Sequence, residues 1–348
     1  MIKKTSILIV DDSVFFRNFL TMGLSAHETI TIAGYASNAF DAFGQIEALH
    51  PDVITLDIEM PGMNGIDFLK MLLPRHPIPV ILVSSLNLRL FDALAAGAVD
   101  FVRKPDSSQS LKIDSFFRTL QSKIFIAGCA KVKVPSSEPC YRCSSNPIRC
   151  PPFKPSLRKS ACVVAFGAST GGTEAVLSIL KRLPADFPAI LITQHMPPGF
   201  TRMYAQRLNS LCAMDVKEAE DKDPLLKGRV LVAPGGLQMR VAPLGGGYIV
   251  RCLPEARVNH FLPSVDVLFT SMAQYVKSKG VGVILTGMGR DGAAGLLDMR
   301  KNGAYTIGQD SESSVIYGMP LAAYELGGVS RQASLLQIPE LLIQYMKS

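Results

Sequence analysis

Short apolar runs alternate with amphipathic segments over residues 7 to 122. The runs ILIV, TIAGYA, VITLD, VILVSS and DFVRKP are typical of strands, and segments such as VFFRNFLTMGL and DSFFRTLQSKI have helical spacing. Strict alternation of five strands with five helices predicts parallel strands joined by right-handed crossovers. The first part of the chain is therefore expected to be an α/β domain of the (βα)5 type.

The alternation stops at about residue 130 and resumes near residue 160. The stretch in between, KVKVPSSEPCYRCSSNPIRCPPFKPS, has no sustained period and is typical of a linker. Beyond it, CVVAF, AILIT, RVLVA, YIVRC, VGVILTG and AYTIG predict the strands of a second sheet, with helices at about 173–183, 265–277 and 290–301. We therefore expect a first domain over 1–123, a Pro/Cys-rich basic linker over 124–157, and a doubly wound, mainly parallel α/β domain over 158–348.

Charge and composition narrow the classes of function. Residues 131 to 159 hold seven Lys or Arg against Glu138 alone, a local net charge of +6 out of +7 for the chain, so the rest is close to neutral. Neither domain is basic enough to follow a nucleic acid backbone, and no nucleic acid partner is expected. The first apolar run ends at Asp11 and Asp12, and no run approaches the roughly 18 residues of a membrane span. We expect a cytoplasmic monomer without membrane insertion.

The cysteines do not form a convincing metal or disulfide pattern. Seven is an odd number, and a chain without an export signal is expected to keep its thiols reduced. Around the linker stand Cys129, Cys140, Cys143 and Cys150. One C-x₂-C pair without a second pair or a nearby histidine is a poor zinc signature, because a structural site needs four ligands.

Polar residues follow the ends of the predicted strands in the first domain, where ligands of parallel sheets collect. They are Asp11, Asp12, Asp57, Ser84 and Lys104. Three carboxylates at one edge repel one another and need a cation, and hard oxygen ligands suit Mg²⁺. Lys104 is placed to neutralise an anionic group that arrives at Asp57. For any single aspartate the alternative role is a helix cap.

With LDIEMPGMNG (56–65) and VRKP (102–105), the first domain resembles the flavodoxin-like receiver domain of two-component systems. The resemblance implies that Asp57 is the phosphoacceptor of a Mg²⁺-dependent switch. The implied metal ligands are Asp11 or Asp12, together with Asp57 and the backbone carbonyl of Glu59. The implied phosphoryl contacts are Ser84 and Lys104, and Phe101 matches the switch aromatic of the family.

A candidate nucleophile stands in the second domain. Ser169 lies in GASTG (167–171), which fits the G-x-S-x-G pattern of a serine held at a strand-to-helix turn, although a serine there is equally suited to cap a helix. His195 follows AILITQ and shares the carboxyl edge of the sheet, whereas the place of His260 in its loop stays open. Asp291, after VGVILTG, is either the carboxylate that orients the imidazole or a cap or turn residue. The order Ser, His, Asp differs from that of α/β-hydrolases, so that fold is not implied.

The motifs GASTGGTEAV, TQHMPPGFT, PSVDVLF, LTGMGRDGAAG and YGMP, behind a receiver, resemble the chemotaxis protein-glutamate methylesterase family of the CheB type. The resemblance implies Ser169 as nucleophile, His195 as general acid and base, and Asp291 as the orienting carboxylate. It implies oxyanion stabilisation by the backbone of Met288 and by Thr170, with no cofactor at the esterase site.

The implied substrates are methyl-accepting chemotaxis receptors, whose glutamyl methyl esters would be hydrolysed to methanol and whose glutamines would be deamidated. The implied phosphodonor is the chemotaxis histidine kinase. Two alternatives are a receiver-controlled serine hydrolase acting on another ester or amide, and a non-catalytic output module in which Ser169 caps a helix.

The sequence departs from the family pattern in two places of the second domain. His260, Phe261 and Leu262 stand where basic residues are usual, and Gly236 and Gln238 stand where Asp and His are common. We expect neither change to touch the predicted triad. Both changes can alter the surface that meets the receptor.

Overall fold

The computed structural model of the protein describes residues 4–85, 89–105, 110–132 and 162–348. The chain divides into two compact units, Met1–Glu138 and Pro139–Ser348. Most of the predicted linker, with Cys140, Cys143 and Cys150 and the question of a zinc site, lies outside the described residues. Within the described ranges, no helix is long and apolar enough to cross a membrane.

The first unit is the predicted (βα)5 domain. Its strands are β1 (Thr5–Val10), β2 (Ile30–Ala36), β3 (Val53–Leu56), β4 (Val80–Ser84) and β5 (Asp100–Arg103). Its helices are α1 (Val14–Ser25), α2 (Ala39–Leu49), α3 (Gly65–Leu72), α4 (Arg89–Ala95) and α5 (Ser110–Gly128). The strands pair in parallel in the order β2-β1-β3-β4-β5. Every residue of β3 and β4 is buried, as expected for a parallel sheet covered by helices on both faces.

Helix ends in this unit carry side-chain caps at the predicted loops. Ser13 accepts a hydrogen bond from the Phe16 amide at the start of α1, and Asn64 accepts from the amides of Ile66 and Asp67 at the start of α3. The helix-capping alternative therefore does not account for Asp12 and Asp57, because the caps of the helices that follow them are other residues. Helix α5 continues to Gly128, beyond the predicted bound at residue 123, and the exact domain bounds stay a prediction.

The second unit contains a seven-stranded parallel sheet in the order β14-β13-β12-β6-β7-β9-β8. The strands are β6 (Val163–Ala168), β7 (Ala189–Gln194), β8 (Asp215–Glu218), β9 (Arg229–Val232), β12 (Gly280–Ile284), β13 (Tyr305–Gln309) and β14 (Arg331–Ala333). The helices are α6 (Gly172–Leu180), α7 (Phe200–Leu211), α8 (Val265–Tyr275), α9 (Ala293–Lys301), α10 (Met319–Glu325) and α11 (Ile338–Lys347). The chain leaves β6 toward one side and returns to β12 on its other side, which makes a topological switch point at β6.

One predicted strand belongs to a different sheet. The segment YIVRC lies in β11 (Gly247–Leu253), which pairs antiparallel with β10 (Gln238–Leu244) and not with the parallel sheet. Gly245 and Gly246 join the two strands with positive φ values of 55° and 83°, as a tight hairpin turn of the primed type requires. Placing YIVRC in the parallel sheet was therefore wrong, because this Gly-Gly turn brings the chain straight back onto β10.

Candidate functional site

At the carboxyl edge of the first sheet, one lysine bridges two buried carboxylates. Asp11 follows β1, Asp57 follows β3 and Lys104 follows β5, so parallel pairing brings their side chains to one place. The Lys104 Nζ lies 2.8 Å from Asp11 Oδ2 and 2.6 Å from Asp57 Oδ2. Both aspartates are buried, at 2% and 7% exposed. The three predicted side chains thus form a single charged cluster.

Burial and charge set the protonation of this cluster. Burial raises the pKa of Asp57 above its ordinary value, and the hydrogen bond and charge of Lys104 only partly oppose that rise. Burial by itself lowers the pKa of Lys104, but the two carboxylates outweigh it and raise the pKa. The lysine is therefore held as a cation, while Asp57 is less acidic than a free carboxyl group.

The same edge fits a divalent cation. Carboxylate oxygens of Asp11, Asp12 and Asp57 lie within 4.8 Å of one another, the one such cluster among the described residues. Hard oxygen donors of this kind suit Mg²⁺, which keeps several waters in its octahedron. The Glu59 amide donates to Asp57 Oδ1 at 3.3 Å, and its carbonyl as a metal ligand stays a prediction.

The other predicted residues of this unit lie on the two neighbouring strands. Ser84 is buried at the end of β4, and its carbonyl accepts from the Lys104 amide at 2.9 Å. Phe101 is buried in β5, with the Lys123 Nζ 5.1 Å from its ring centroid. Their roles toward a phosphoryl group and in switching stay predictions.

In the second unit, Ser169 and His195 directly follow two paired strands and lie side by side at the edge of the sheet. Strands β6 and β7 pair with Ala168 opposite Gln194, and the His195 amide donates to the Ala168 carbonyl at 3.1 Å. Ser169 and His195 are the next residue of each strand, so the register brings them to the same point of the sheet edge. Ser169 is half-buried there.

Ser169 does not cap the helix that follows it. Helix α6 begins at Gly172, its N-cap is Gly171, and no side chain caps it. The Ser169 carbonyl, rather than the hydroxyl, accepts from the Gly172 amide at 2.7 Å and from Gln194 Nε2 at 2.9 Å. Within the described residues the Ser169 hydroxyl makes no hydrogen bond. The helix-cap alternative is therefore wrong, and the hydroxyl is free for chemistry.

His195 is bonded to Asp291 on one side of its ring. The His195 Nε2 lies 2.8 Å from Asp291 Oδ2, and the Asp291 side chain is fully buried. An ionised carboxylate only accepts hydrogen bonds, so Nε2 must carry a proton, and in the neutral form of the ring the lone pair is then on Nδ1. Nδ1 is buried and has no hydrogen-bond partner among the described residues. Such a nitrogen is ready to accept the proton of a neighbouring hydroxyl.

Asp291 is surrounded by donors and keeps its charge. Besides His195, its donors are Asn259 Nδ2, Ser264 Oγ and the amides of Val265 and Asp266, at 2.6 to 3.4 Å. Burial by itself raises the pKa of Asp291, but the hydrogen bonds and charge of His195, with Asn259 and Ser264, outweigh it and lower the pKa. The two amides are the first of α8, so this aspartate caps α8 and not the helix α9 that follows it.

The predicted oxyanion donors are Thr170, which directly follows Ser169, and Met288, which directly follows Gly287. Gly287 is fixed by its amide, which donates to the Ile316 carbonyl at 3.0 Å, and by its carbonyl, which accepts from the Met319 amide at 2.8 Å. The next amide, that of Met288, donates to no acceptor in the described part of the chain. Thr170 is buried, and its carbonyl accepts from Thr286 Oγ1 at 3.0 Å. Both oxyanion roles stay predictions.

The structure adds residues that the sequence analysis did not place at the site. The Phe261 ring stacks on the His195 ring with centroids 3.6 Å apart and planes 5° apart. The Gln238 amide group accepts from the Ser264 amide at 2.8 Å and donates to the Phe261 carbonyl at 3.3 Å. The expectation that the departures leave the triad untouched was wrong for Phe261, because its ring lies against His195. It is not contradicted for Gln238, whose hydrogen-bond partners Ala256, Phe261 and Ser264 lie outside the triad. No local pattern or motif spacing in the sequence indicates that Phe261 would contact His195.

Comparisons with known proteins match both units. The CheB methylesterase family matches residues 164–342, and the response regulator receiver domain family matches residues 7–113. The protein-glutamate methylesterase/protein-glutamine glutaminase 2 of Syntrophomonas wolfei is 48% identical over 98% of this chain and 97% of that protein. Its counterpart in Syntrophotalea carbinolica is 45% identical over 96% of each. The crystal structure of the Thermotoga maritima CheB methylesterase catalytic domain covers 53% of this chain and 98% of its own, with 37% identity and a TM-score of 0.52.

Proposed function

Because the chain belongs to the CheB methylesterase family and has a receiver domain in front of its methylesterase domain, we propose that Ser169, His195 and Asp291 perform its hydrolysis. The protein is a protein-glutamate methylesterase and protein-glutamine glutaminase of chemotactic adaptation. The observation that carries the residue assignment is the 2.8 Å contact of the His195 imidazole with buried Asp291, next to Ser169 on the adjacent strand.

In the proposed reaction each residue has a separate task. Asp291 keeps the Nε2 proton in place, so the His195 Nδ1 takes the Ser169 proton while Oγ bonds to the ester carbonyl carbon. The Met288 amide stabilises the resulting oxyanion, and such a donor typically contributes about 10²- to 10³-fold in rate. His195 then returns the proton to the departing methoxide, which leaves as methanol.

The second half of the reaction regenerates the serine. His195 takes a proton from water, and the resulting hydroxide adds to the acyl carbon. The bond to Ser169 Oγ breaks, the proton returns to Oγ, and a free glutamate side chain remains. With a glutamine substrate the first leaving group is ammonia, and the same atoms perform the steps.

The partners follow from the two domains. The substrates are methyl-accepting chemotaxis receptors, and the chemotaxis histidine kinase phosphorylates Asp57. Bound Mg²⁺ at Asp11, Asp12 and Asp57 would supply charge neutralisation for phosphoryl transfer. The enzyme works as a cytoplasmic monomer, and nucleic acid has no part in the reaction.

Ser169→Ala tests the nucleophile in the full-length protein. We expect methanol release from methylated receptor membranes to fall by at least about 10³-fold, because the variant lacks the Oγ on which the acyl intermediate forms. The matched control is Ser178→Ala, half-buried on α6, which should keep full activity. Methanol is measured with and without a small phosphodonor and Mg²⁺.

Two results would contradict the proposal. Undiminished release by Ser169→Ala would remove the serine from the mechanism. No release by the folded wild-type protein, together with hydrolysis of other small esters, would point to the alternative of a receiver-controlled hydrolase with another substrate.

A further inference from the structure

The residues that cover His195 belong to a tight turn. The Val258 amide donates to the Phe261 carbonyl at 3.1 Å, and the Phe261 amide donates to the Val258 carbonyl at 2.9 Å. The two central residues, Asn259 and His260, have φ values of 52° and 70°. Two consecutive positive φ values are typical of a type I′ turn, and the backbone of residues other than glycine is strained there. Contacts elsewhere must hold this turn in place.

The turn contacts both members of the acid–base pair. From its centre, the Asn259 Nδ2 donates to Asp291 Oδ1 at 2.9 Å and to Asp266 Oδ2 at 2.7 Å. From its end, the Phe261 ring lies parallel to the His195 imidazole at a centroid distance of 3.6 Å. One element thus touches the carboxylate and the base at the same time.

A buried amide group fixes the turn to the hairpin. Gln238, at the start of β10, is 0% exposed. Its Nε2 donates to the carbonyls of Ala256 and Phe261 at 3.1 and 3.3 Å, and its Oε1 accepts from the Ser264 amide at 2.8 Å. The segments before and after the turn are therefore tied to the same side chain, and a buried amide with its partners satisfied keeps one geometry.

We propose that Phe261 is the positioning residue of the His195 imidazole, an inference that rests on the proposed function. The Asp291 bond holds Nε2, but one hydrogen bond by itself tolerates a range of ring planes. Nδ1 has no partner among the described residues that would narrow that range. The parallel phenyl ring sets the plane, and with it the direction of the Nδ1 lone pair toward Ser169.

If Phe261 positions the His195 imidazole, loss of the phenyl ring should slow the reaction without weakening substrate binding. An ångström of misplacement of a catalytic group costs about 10²-fold in rate. Removing the Phe261 ring should therefore lower kcat and leave KM nearly unchanged. A ring that instead contacts the receptor would change KM.

The test compares Phe261→Leu, which removes the ring, with Phe261→Tyr, which keeps it, in the full-length protein. The matched control is Tyr345→Leu, which removes a second ring stack of this unit, that with Tyr305 at 4.6 Å and 14°. Tyr305 pairs with Val281 near the opposite edge of the sheet. If Phe261→Leu does not fold, as judged by its melting curve, Phe261→Met replaces it.

Two readouts are measured for each variant. The first is kcat and KM of methanol release from methylated receptor membranes. The second is the rate at which a small p-nitrophenyl phosphonate modifies Ser169, forming an Oγ–P bond and releasing p-nitrophenolate. Phe261→Leu should lose about 10- to 100-fold in kcat and in labelling rate, with KM changed less than about 3-fold, while Phe261→Tyr and Tyr345→Leu stay near wild type.

Wild-type kcat and labelling rate in folded Phe261→Leu would overturn the inference, and so would a change confined to KM. These outcomes are distinct from a failure of the proposed function. If the wild-type protein neither releases methanol nor is labelled at Ser169, the assignment of the nucleophile falls, and the role of Phe261 falls with it.

Discussion

Two buried carboxylates of this protein have pKa values that move in opposite directions. Asp57 faces one cation, Lys104, which it shares with Asp11, so its burial is incompletely compensated and its pKa is raised. Asp291 is even more deeply buried but accepts hydrogen bonds from several donors, and its pKa is lowered. The first arrangement suits a carboxylate that receives a phosphoryl group, and the second suits one that stays charged beside an imidazole.

The raised pKa of Asp57 predicts a pH-dependent stability. A group whose folded pKa lies above its ordinary value of 3.8 favours the folded state below that value, and this contribution is lost as pH rises through the folded pKa. At neutral pH the ionised Asp57 therefore destabilises the fold. Asp57→Asn should raise the melting temperature of the receiver at pH 7, and the difference should vanish below about pH 3.8.

Calorimetry measures these melting temperatures. The receiver transition is identified in the wild-type protein as the one whose melting temperature rises when Mg²⁺ is added. Asp11 keeps Lys104 paired in the variant. The exposed Glu47→Gln on α2 serves as the control and should leave the transition where it is. A lower melting temperature for Asp57→Asn at pH 7 would show that the Lys104 pair outweighs the burial of Asp57.

At the scale of elements, the loop after β12 lies in close contact with the turn that contains Ser169. A Cβ at Gly287 would lie 2.6 Å from the Ser169 Cβ and 2.4 Å from the Met319 Sδ. The Ser169 amide also donates to the Thr286 carbonyl at 3.0 Å, so the two segments cannot separate without breaking that bond. Because Met288 directly follows Gly287, this close approach supports the predicted role of the Met288 amide at Ser169.

Gly287→Ala should therefore displace Ser169 and destabilise the fold. Overpacking of this kind costs about 1–3 kcal/mol in free energy of unfolding, and a displacement of the nucleophile should cost about 10²-fold in kcat. Denaturant unfolding and methanol release measure the two effects. Gly247→Ala in β11, whose nearest neighbour would be the Leu244 carbonyl at 3.8 Å, is the matched control. Full activity of Gly287→Ala would mean that Ser169 does not need this contact.

At the scale of the whole molecule, one chain contains a phosphorylation site and a hydrolytic site in two compact units. An aspartyl phosphate adds negative charge and acceptor oxygens at the cluster of Asp57 and Lys104. New bonds to that group bias a two-state surface of the receiver. We expect the receiver to use this change to control access of the receptor to Ser169.

Phosphodonor stimulation tests the connection between the units. A small phosphodonor with Mg²⁺ should raise methanol release by the wild-type protein, and Asp57→Asn should lose that rise because it cannot form the acyl phosphate. Glu47→Gln should keep the rise. A rise of wild-type size in Asp57→Asn would show that the phosphodonor acts elsewhere.

Much of both sites could be predicted from the sequence because parallel sheets concentrate function at their carboxyl ends. Apolar periodicity locates the strands, and the next polar residue of each strand then lies at a shared edge, as with Asp57 and Lys104 or Ser169 and His195. The same logic could not assign YIVRC, since a short apolar run is equally suited to a parallel sheet and to a hairpin.

The sequence by itself determined the two α/β domains and the acidic cluster, because these depend on local pattern and strand order. The resemblance to the CheB family implied the proposed triad, while the residues alone left helix caps open as alternatives for Ser169 and Asp291. Only the tertiary structure decided how the imidazole is held. Gln238 lies in a hairpin, Phe261 in a turn and Asp291 in the loop between β12 and α9, and they are brought to one site by long-range contacts of single side chains. No periodicity specifies such contacts, since they depend on how the turn packs against the sheet edge.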